Sequence, residues 1–151
     1  MSKKQKKISQ KVIPSGTKQI KSQENPESFM QKRPSWCFEL VDEEGKWNPY
    51  RVDFKFIVEH LVNFERMTWD EVFKKTHDSG KSGNHYITPD KLCKNAQDRF
   101  RKLNLEEYAD SLYSIRLNNL IRIFGLLRDG VFYILWFDEK HEICPSKLKH
   151  S

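Results

Sequence analysis

Two stretches early in the chain have the hydrophobic spacing of helices. From Val52 to Phe64 the apolar residues recur every three or four positions, which predicts an amphipathic helix. The segment Thr68-Trp69-Asp70-Glu71 has the capping-box pattern, a hydroxyl followed three residues later by a glutamate. It predicts a short second helix that ends near Lys75.

A polar loop and a third helix are predicted next. Residues 77–85 contain no core-forming side chain and are predicted to form an exposed loop. Thr88-Pro89-Asp90 then combines an N-cap, a proline suited to a first helical turn and an early acid. This pattern predicts a helix that continues through Leu103.

Alternating patterns predict strands at the start of the folded part and throughout its end. Residues 36–41 are rich in strand formers and predict an opening strand. Residues 113–117, 120–128 and 131–137 alternate between apolar and polar positions and predict three antiparallel strands, the last two joined at Asp129-Gly130 by a two-residue hairpin turn. The predicted fold class is α+β, with the N-terminal helices packed on one face of a C-terminal antiparallel β-meander.

The hairpin turns also predict which side chains share a face. Two-residue turns at Asn118-Asn119 and Asp129-Gly130 would set Arg116 opposite Ile121 and Arg122 opposite Phe137. Arg116 and Asp138 would then flank Ile121 at the edge of the helix-covered face, where they could also form a salt bridge. The other face would carry the side chains of Arg122, Arg128, Tyr133, Phe124 and Phe137.

Aromatic rings interleaved with guanidinium groups suit stacking on bases and pairing with phosphates. The alternative is that these arginines are solvated strand residues above ordinary aromatic packing.

Charge divides the chain at a different place. Residues 1–33 hold nine Lys or Arg and two Glu, whereas residues 34–151 are close to neutral. With few large apolar residues, the first segment is predicted to be a disordered basic tail, either a solvated leader or an arm that contacts phosphates, and residues 34–151 a single domain.

Several classes of protein do not fit the sequence. Apolar runs are too short for a membrane span and the N-terminus lacks the apolar core of a signal peptide, so we expect a soluble, cytoplasmic protein with no membrane partner. The cysteines, Cys37, Cys93 and Cys144, form no CxxC motif, and glycine-rich nucleotide-binding loops are absent. No cofactor is expected.

The C-terminal third, about 40 residues, resembles the RelE/ParE superfamily of bacterial toxin-like proteins. The resemblance rests on Ser114-Ile115-Arg116-Leu117, on Ile121-Arg122-Ile123-Phe124-Gly125 and on the segment from Val131 to His141. Arg122 and His141 match the arginine-bearing strand and the Lys-His ending of the family. The residues from Trp136 to Ser151 are also similar to a branch with the ending WDPxHxVxPxKKHT. The resemblance implies helices packed on an antiparallel sheet.

It further implies an RNA endonuclease that works without metal, by attack of a ribose 2′-hydroxyl on the adjacent phosphate. His141 would donate a proton, Arg122 or Arg116 would stabilise the phosphate, and His85 or Asp138 would be the base. RNA binding is expected at Arg128, Tyr133, Lys140 and Lys147.

The expected partners are RNA, including ribosome-bound mRNA, and an antitoxin-like protein. Two alternatives stay open: a metal site formed by His85, Asp138, His141 and His150, and a non-catalytic module that binds a protein or nucleic acid.

Overall fold

The structure, a computed structural model, describes residues 29–75 and 83–145. The helices and strands in chain order are β1 (Ser35–Cys37), α1 (Phe54–Glu65), α2 (Trp69–Lys74), β2 (His85–Tyr86), α3 (Lys94–Lys102), β3 (Leu112–Arg116), β4 (Arg122–Arg128) and β5 (Val131–Asp138). The five strands in this part of the chain form one mixed sheet with the order β1-β5-β4-β3-β2. The predicted α+β class is confirmed. None of the helices in the two described ranges is long and apolar enough to cross a membrane.

The opening strand is shorter than predicted, and the core begins earlier in the chain. β1 ends at Cys37 and runs parallel to β5, with Ser35 opposite Val131. Upstream of it, Phe29 is 3% exposed and packs edge-on against Trp69. The folded part therefore extends upstream of residue 34, whereas residues 1–28 of the expected tail lie outside the described residues.

The predicted start of α2 is confirmed, but the predicted start of the third helix is too early in the chain. Thr68 and Glu71 form both hydrogen bonds of the predicted capping box at the start of α2. By contrast, Pro89–Lys91 forms a single 3-10 turn, and α3 begins only at Lys94. The reason is tertiary: Leu92 is extended, with ψ of 153°, and its side chain is buried in the core.

The two hairpins differ in how well their turns were predicted. Asp129 and Gly130 both have positive φ, 53° and 86°, as the predicted two-residue turn requires. The other turn is longer than predicted, because the amide of Leu117 bonds to the carbonyl of Ile121 and Arg116 pairs with Arg122. The carboxamide oxygen of Asn118 accepts the amides of Leu120 and Ile121, which stabilises the wider loop.

A β-bulge changes the register of the last hairpin. Gly125 pairs with Ile134, but the next pair is Phe124 with Trp136, so Leu135 is an extra residue in β5. Beyond the bulge every partner shifts by one, and Arg122 lies opposite Asp138 rather than the predicted Phe137. In β5 the side chains beyond the bulge, such as Trp136 and Phe137, also lie on the opposite face from the one predicted.

The sheet is covered on both faces, which corrects the prediction of helices on one face. Helices α1 and α2 cover one face, where buried residues include Ile57, Leu61, Trp69, Val72, Ile115, Ile123, Phe132 and Phe137. Helix α3 and the segment after it cover the other face, where they include Ala96, Phe100, Tyr108, Leu112, Phe124, Leu126 and Trp136.

The predicted exposed face of aromatic and guanidinium groups is therefore wrong. Phe124 and Phe137 are buried in opposite clusters. Arg128 is only 8% exposed, donates a hydrogen bond to the Ser111 hydroxyl and lies 5.3 Å from the Tyr108 ring. Arg128 therefore serves packing and is not placed to bind RNA.

Candidate active-site cleft

Three of the predicted site residues form a row across the sheet. Arg116 on β3 is opposite Arg122 on β4, which is opposite Asp138 on β5. Directly paired residues of neighbouring strands point to the same face. The longer turn thus brings Arg116 opposite Arg122, and the bulge brings Asp138 opposite Arg122; the predicted registers had separated Arg122 from both.

A cleft of about 330 Å³ lies at this end of the sheet. Four of the five predicted catalytic residues line it: His85, Arg116, Arg122 and His141. The other lining residues are Gly83, Ile87, Ser114, Phe124, Cys144 and Pro145. None of these described lining residues carries a carboxylate, whereas arginine and histidine side chains are both present. The cleft therefore favours an anion.

Asp138, the fifth predicted catalytic residue, is fully buried beneath the turn that carries His141. Its carboxylate accepts the backbone amides of Lys140, Glu142 and Ile143 at 3.3, 3.0 and 2.8 Å. His141 itself has φ of 58°, in the left-handed region that residues other than glycine seldom adopt. The carboxylate thus holds an uncommon backbone turn that places His141 at the cleft, and its oxygens are engaged rather than available to a substrate.

Burial and neighbouring cations shift the ionisation of the cleft residues. The pKa of His141 is lowered, first by burial and then by the positive charge of Arg122. The pKa of Arg122 is also lowered, first by burial and then by Arg116. An anion in the cleft would oppose these cationic contributions.

Three asparagines outside the predicted set hold the arginines in place. The backbone amide of Arg116 donates to the side-chain oxygen of Asn84 at 2.8 Å. The Arg116 guanidinium donates to the side-chain oxygen of Asn119 at 2.6 Å. Arg122 donates to the carbonyl of Asn118 at 2.9 Å. Asn84 corrects the prediction of an exposed loop at its position, because its side chain is buried and donates to the carbonyl of Val72. An asparagine in a polar loop gave no sequence signal for this role.

The remaining predicted residues are more dispersed. His85 is exposed at the cleft rim on β2, opposite Ser114, with its Nδ1 3.1 Å from the Tyr86 carbonyl oxygen. Lys140 is exposed, whereas Tyr133 is half-buried and packs against the α3 side of the core. Residues 77–82, Lys147 and His150 lie outside the described residues.

No metal centre is visible among the residues that the structure describes. In residues 29–75 and 83–145 no group of three or more His, Cys, Asp or Glu side chains is arranged to hold a metal ion. The predicted combination of His85, Asp138 and His141 is therefore not brought together as a ligand set.

Comparison of the chain with models of known protein families, with curated proteins and with solved structures found no match.

Proposed function

We propose that the cleft is the catalytic site of a metal-independent ribonuclease of the RelE/ParE type. The observation that carries the proposal is the set of cleft-lining side chains, in which Arg116 and Arg122 accompany His85 and His141. Cleavage by a ribose 2′-hydroxyl needs a proton acceptor, a proton donor and cationic stabilisation of the phosphate, and this set contains residue types for all three.

The arginines bind the scissile phosphate in this proposal. A guanidinium group can donate two parallel hydrogen bonds to phosphate oxygens, and it keeps its charge throughout. Arg116 and Arg122 are neighbours across β3 and β4, so both can act on one phosphate. Their charge stabilises the additional negative charge of the pentacoordinate transition state.

The histidines exchange the protons. The lowered pKa of His141 favours a neutral imidazole at neutral pH, which suits a proton acceptor better than the donor role expected from the sequence. His141 therefore takes the proton of the 2′-hydroxyl. His85 gives a proton to the leaving 5′-oxygen through Nε2, because its Nδ1 faces the Tyr86 carbonyl.

The resemblance to the RelE/ParE superfamily gives this proposal its biological setting. An antiparallel β3-β4-β5 meander that leads into the His141 turn is the arrangement expected from it. In this setting the substrate is mRNA, free or on the ribosome, in the cytoplasm, and an antitoxin-like protein would bind the chain.

A cleavage assay tests the proposal. Purified protein is incubated with RNA in the presence of EDTA, with and without ribosomes, and the products are examined for 2′,3′-cyclic phosphate ends. We expect His141→Ala and Arg122→Ala each to lower the rate by about a hundredfold or more. His60→Ala is the matched control, because His60 lies on α1 and bonds to the Phe56 carbonyl outside the cleft.

Absence of cleavage by the wild type, or full activity of both cleft variants, would overturn the nuclease proposal. If the cleft then bound nucleic acid or an acidic peptide without cleaving it, and salt weakened this binding, the result would favour a non-catalytic binding module as the function.

A further inference from the structure

A second hollow adjoins the cleft. It has a volume of about 160 Å³, roughly half that of the cleft. It is lined by Lys75, Gly83, Asn84 and Arg116 together with residues 117–119. Gly83 and Arg116 line both concavities, so the hollow continues the cleft past β3 towards the end of α2.

Arg116 forms the shared wall between the two. A Cβ added to Gly83 would lie 2.7 Å from Cδ of Arg116, so the glycine leaves the space in which the arginine stem lies. The Arg116 guanidinium donates a hydrogen bond to Asn119 at 2.6 Å, which orients the far end of the arginine side chain towards the rim of the hollow. The guanidinium is thereby held at the boundary, where it can contact anionic oxygens on either side.

The hollow has the chemistry of an anion site. Lys75 is exposed and lines the hollow, with its ammonium 6.0 Å from the centre of the Phe64 ring, and three asparagines line the hollow as well. None of the described residues that line the hollow carries a carboxylate. A ligand with one phosphate can occupy the cleft alone, whereas a nucleic acid strand carries a phosphate at every nucleotide and can reach both sites.

We propose that the hollow binds the phosphodiester next to the one held in the cleft. This inference rests on the proposed ribonuclease function and narrows its substrate to a strand with at least two consecutive phosphates. Lys75 and Arg116 are the residues that recognise the second phosphate. A mononucleotide lacks that group and should bind more weakly.

Binding of short deoxyribonucleotides to the full chain tests the inference. Thymidine oligonucleotides with one, two or three phosphates lack the 2′-hydroxyl, so they bind without being cleaved. Calorimetry on the wild type should give at least a tenfold higher affinity for three phosphates than for one. In Lys75→Ala most of this gain should disappear and the slope of log affinity against log salt should fall by about 1, with the one-phosphate affinity unchanged.

Lys74→Ala is the matched control, because it removes the same charge one residue earlier. Lys74 forms an ion pair with Asp70 at 3.0 Å and does not line the hollow, so this variant should keep the gain with length. Equal affinities for all three ligands, no binding of any of them, or equal effects of the two lysine variants would overturn the inference.

The two proposals can fail separately. If affinity rose with the number of phosphates and this rise needed Lys75, but RNA was not cleaved, the ribonuclease proposal would be refuted and the second phosphate site would stand. If RNA was cleaved and cleavage needed His141, but affinity did not depend on the number of phosphates, the second site would be refuted and the ribonuclease proposal would stand.

Discussion

Replacing Asp138 with alanine tests whether its carboxylate holds the turn that presents His141. The variant leaves three backbone amides without their present acceptor, those of Lys140, Glu142 and Ile143. The Ile143 amide is buried, so its lost partner should cost about 1–3 kcal/mol, whereas the other two can reach water and should cost about 0.5–1.5 kcal/mol each. Removal of a buried charge offsets part of this loss.

We therefore expect Asp138→Ala to lower the free energy of unfolding by about 2–4 kcal/mol. Urea denaturation measures the loss. Asp98→Ala is the control, because the exposed Asp98 carboxylate pairs with Lys94 and Arg101 on α3 and should contribute less than about 1 kcal/mol. If Asp138→Ala lost no more than the control, the carboxylate would not be what holds the turn.

Two further predictions concern the last hairpin and the ionisation of the cleft. Gly130→Val should destabilise the protein by at least about 1–2 kcal/mol in thermal or urea unfolding, because φ at Gly130 is 86° and a Cβ would lie 3.3 Å from that of Phe29; a neutral result would contradict this. An NMR titration should find the pKa of His141 below the ordinary value of a histidine side chain, so the rise of cleavage with pH should come at lower pH than an unshifted histidine would give. Arg122→Gln removes a charge that lowers this pKa and should move the NMR midpoint to higher pH; no movement would contradict the electrostatic argument.

Features that depend on a few neighbouring residues could be predicted from the sequence. The Thr68 and Glu71 capping box and the Asp129-Gly130 turn are examples, since each forms mainly between residues close in sequence. The third helix was placed too early because Leu92 is held in an extended conformation by core packing. Long-range packing can override a helix start signal that is locally correct.

The arrangement of the candidate site depends on the β-bulge in β5, which has no clear signal in the sequence. Gly125 lies beside the bulge, and a Cβ there would come closer to the Tyr133 carbonyl oxygen than packing allows, so glycine permits the close approach of β4 and β5. A glycine in a strand can indicate a bulge, but it does not tell which partner residue is extra. Here that residue is Leu135, and its insertion determines which of Phe137 and Asp138 faces Arg122.

The bulge also decides what Asp138 can do. In the register without a bulge, the predicted face assignment made Asp138 a candidate base on the opposite side from Arg122. With the extra residue, the carboxylate lies in the same row as Arg122 and directly before the turn whose amides it binds. Its negative charge tends to raise the pKa of His141, against the larger effects of burial and Arg122. One inserted residue therefore places Asp138 opposite Arg122, with its carboxylate bound to the amides of the turn that carries His141.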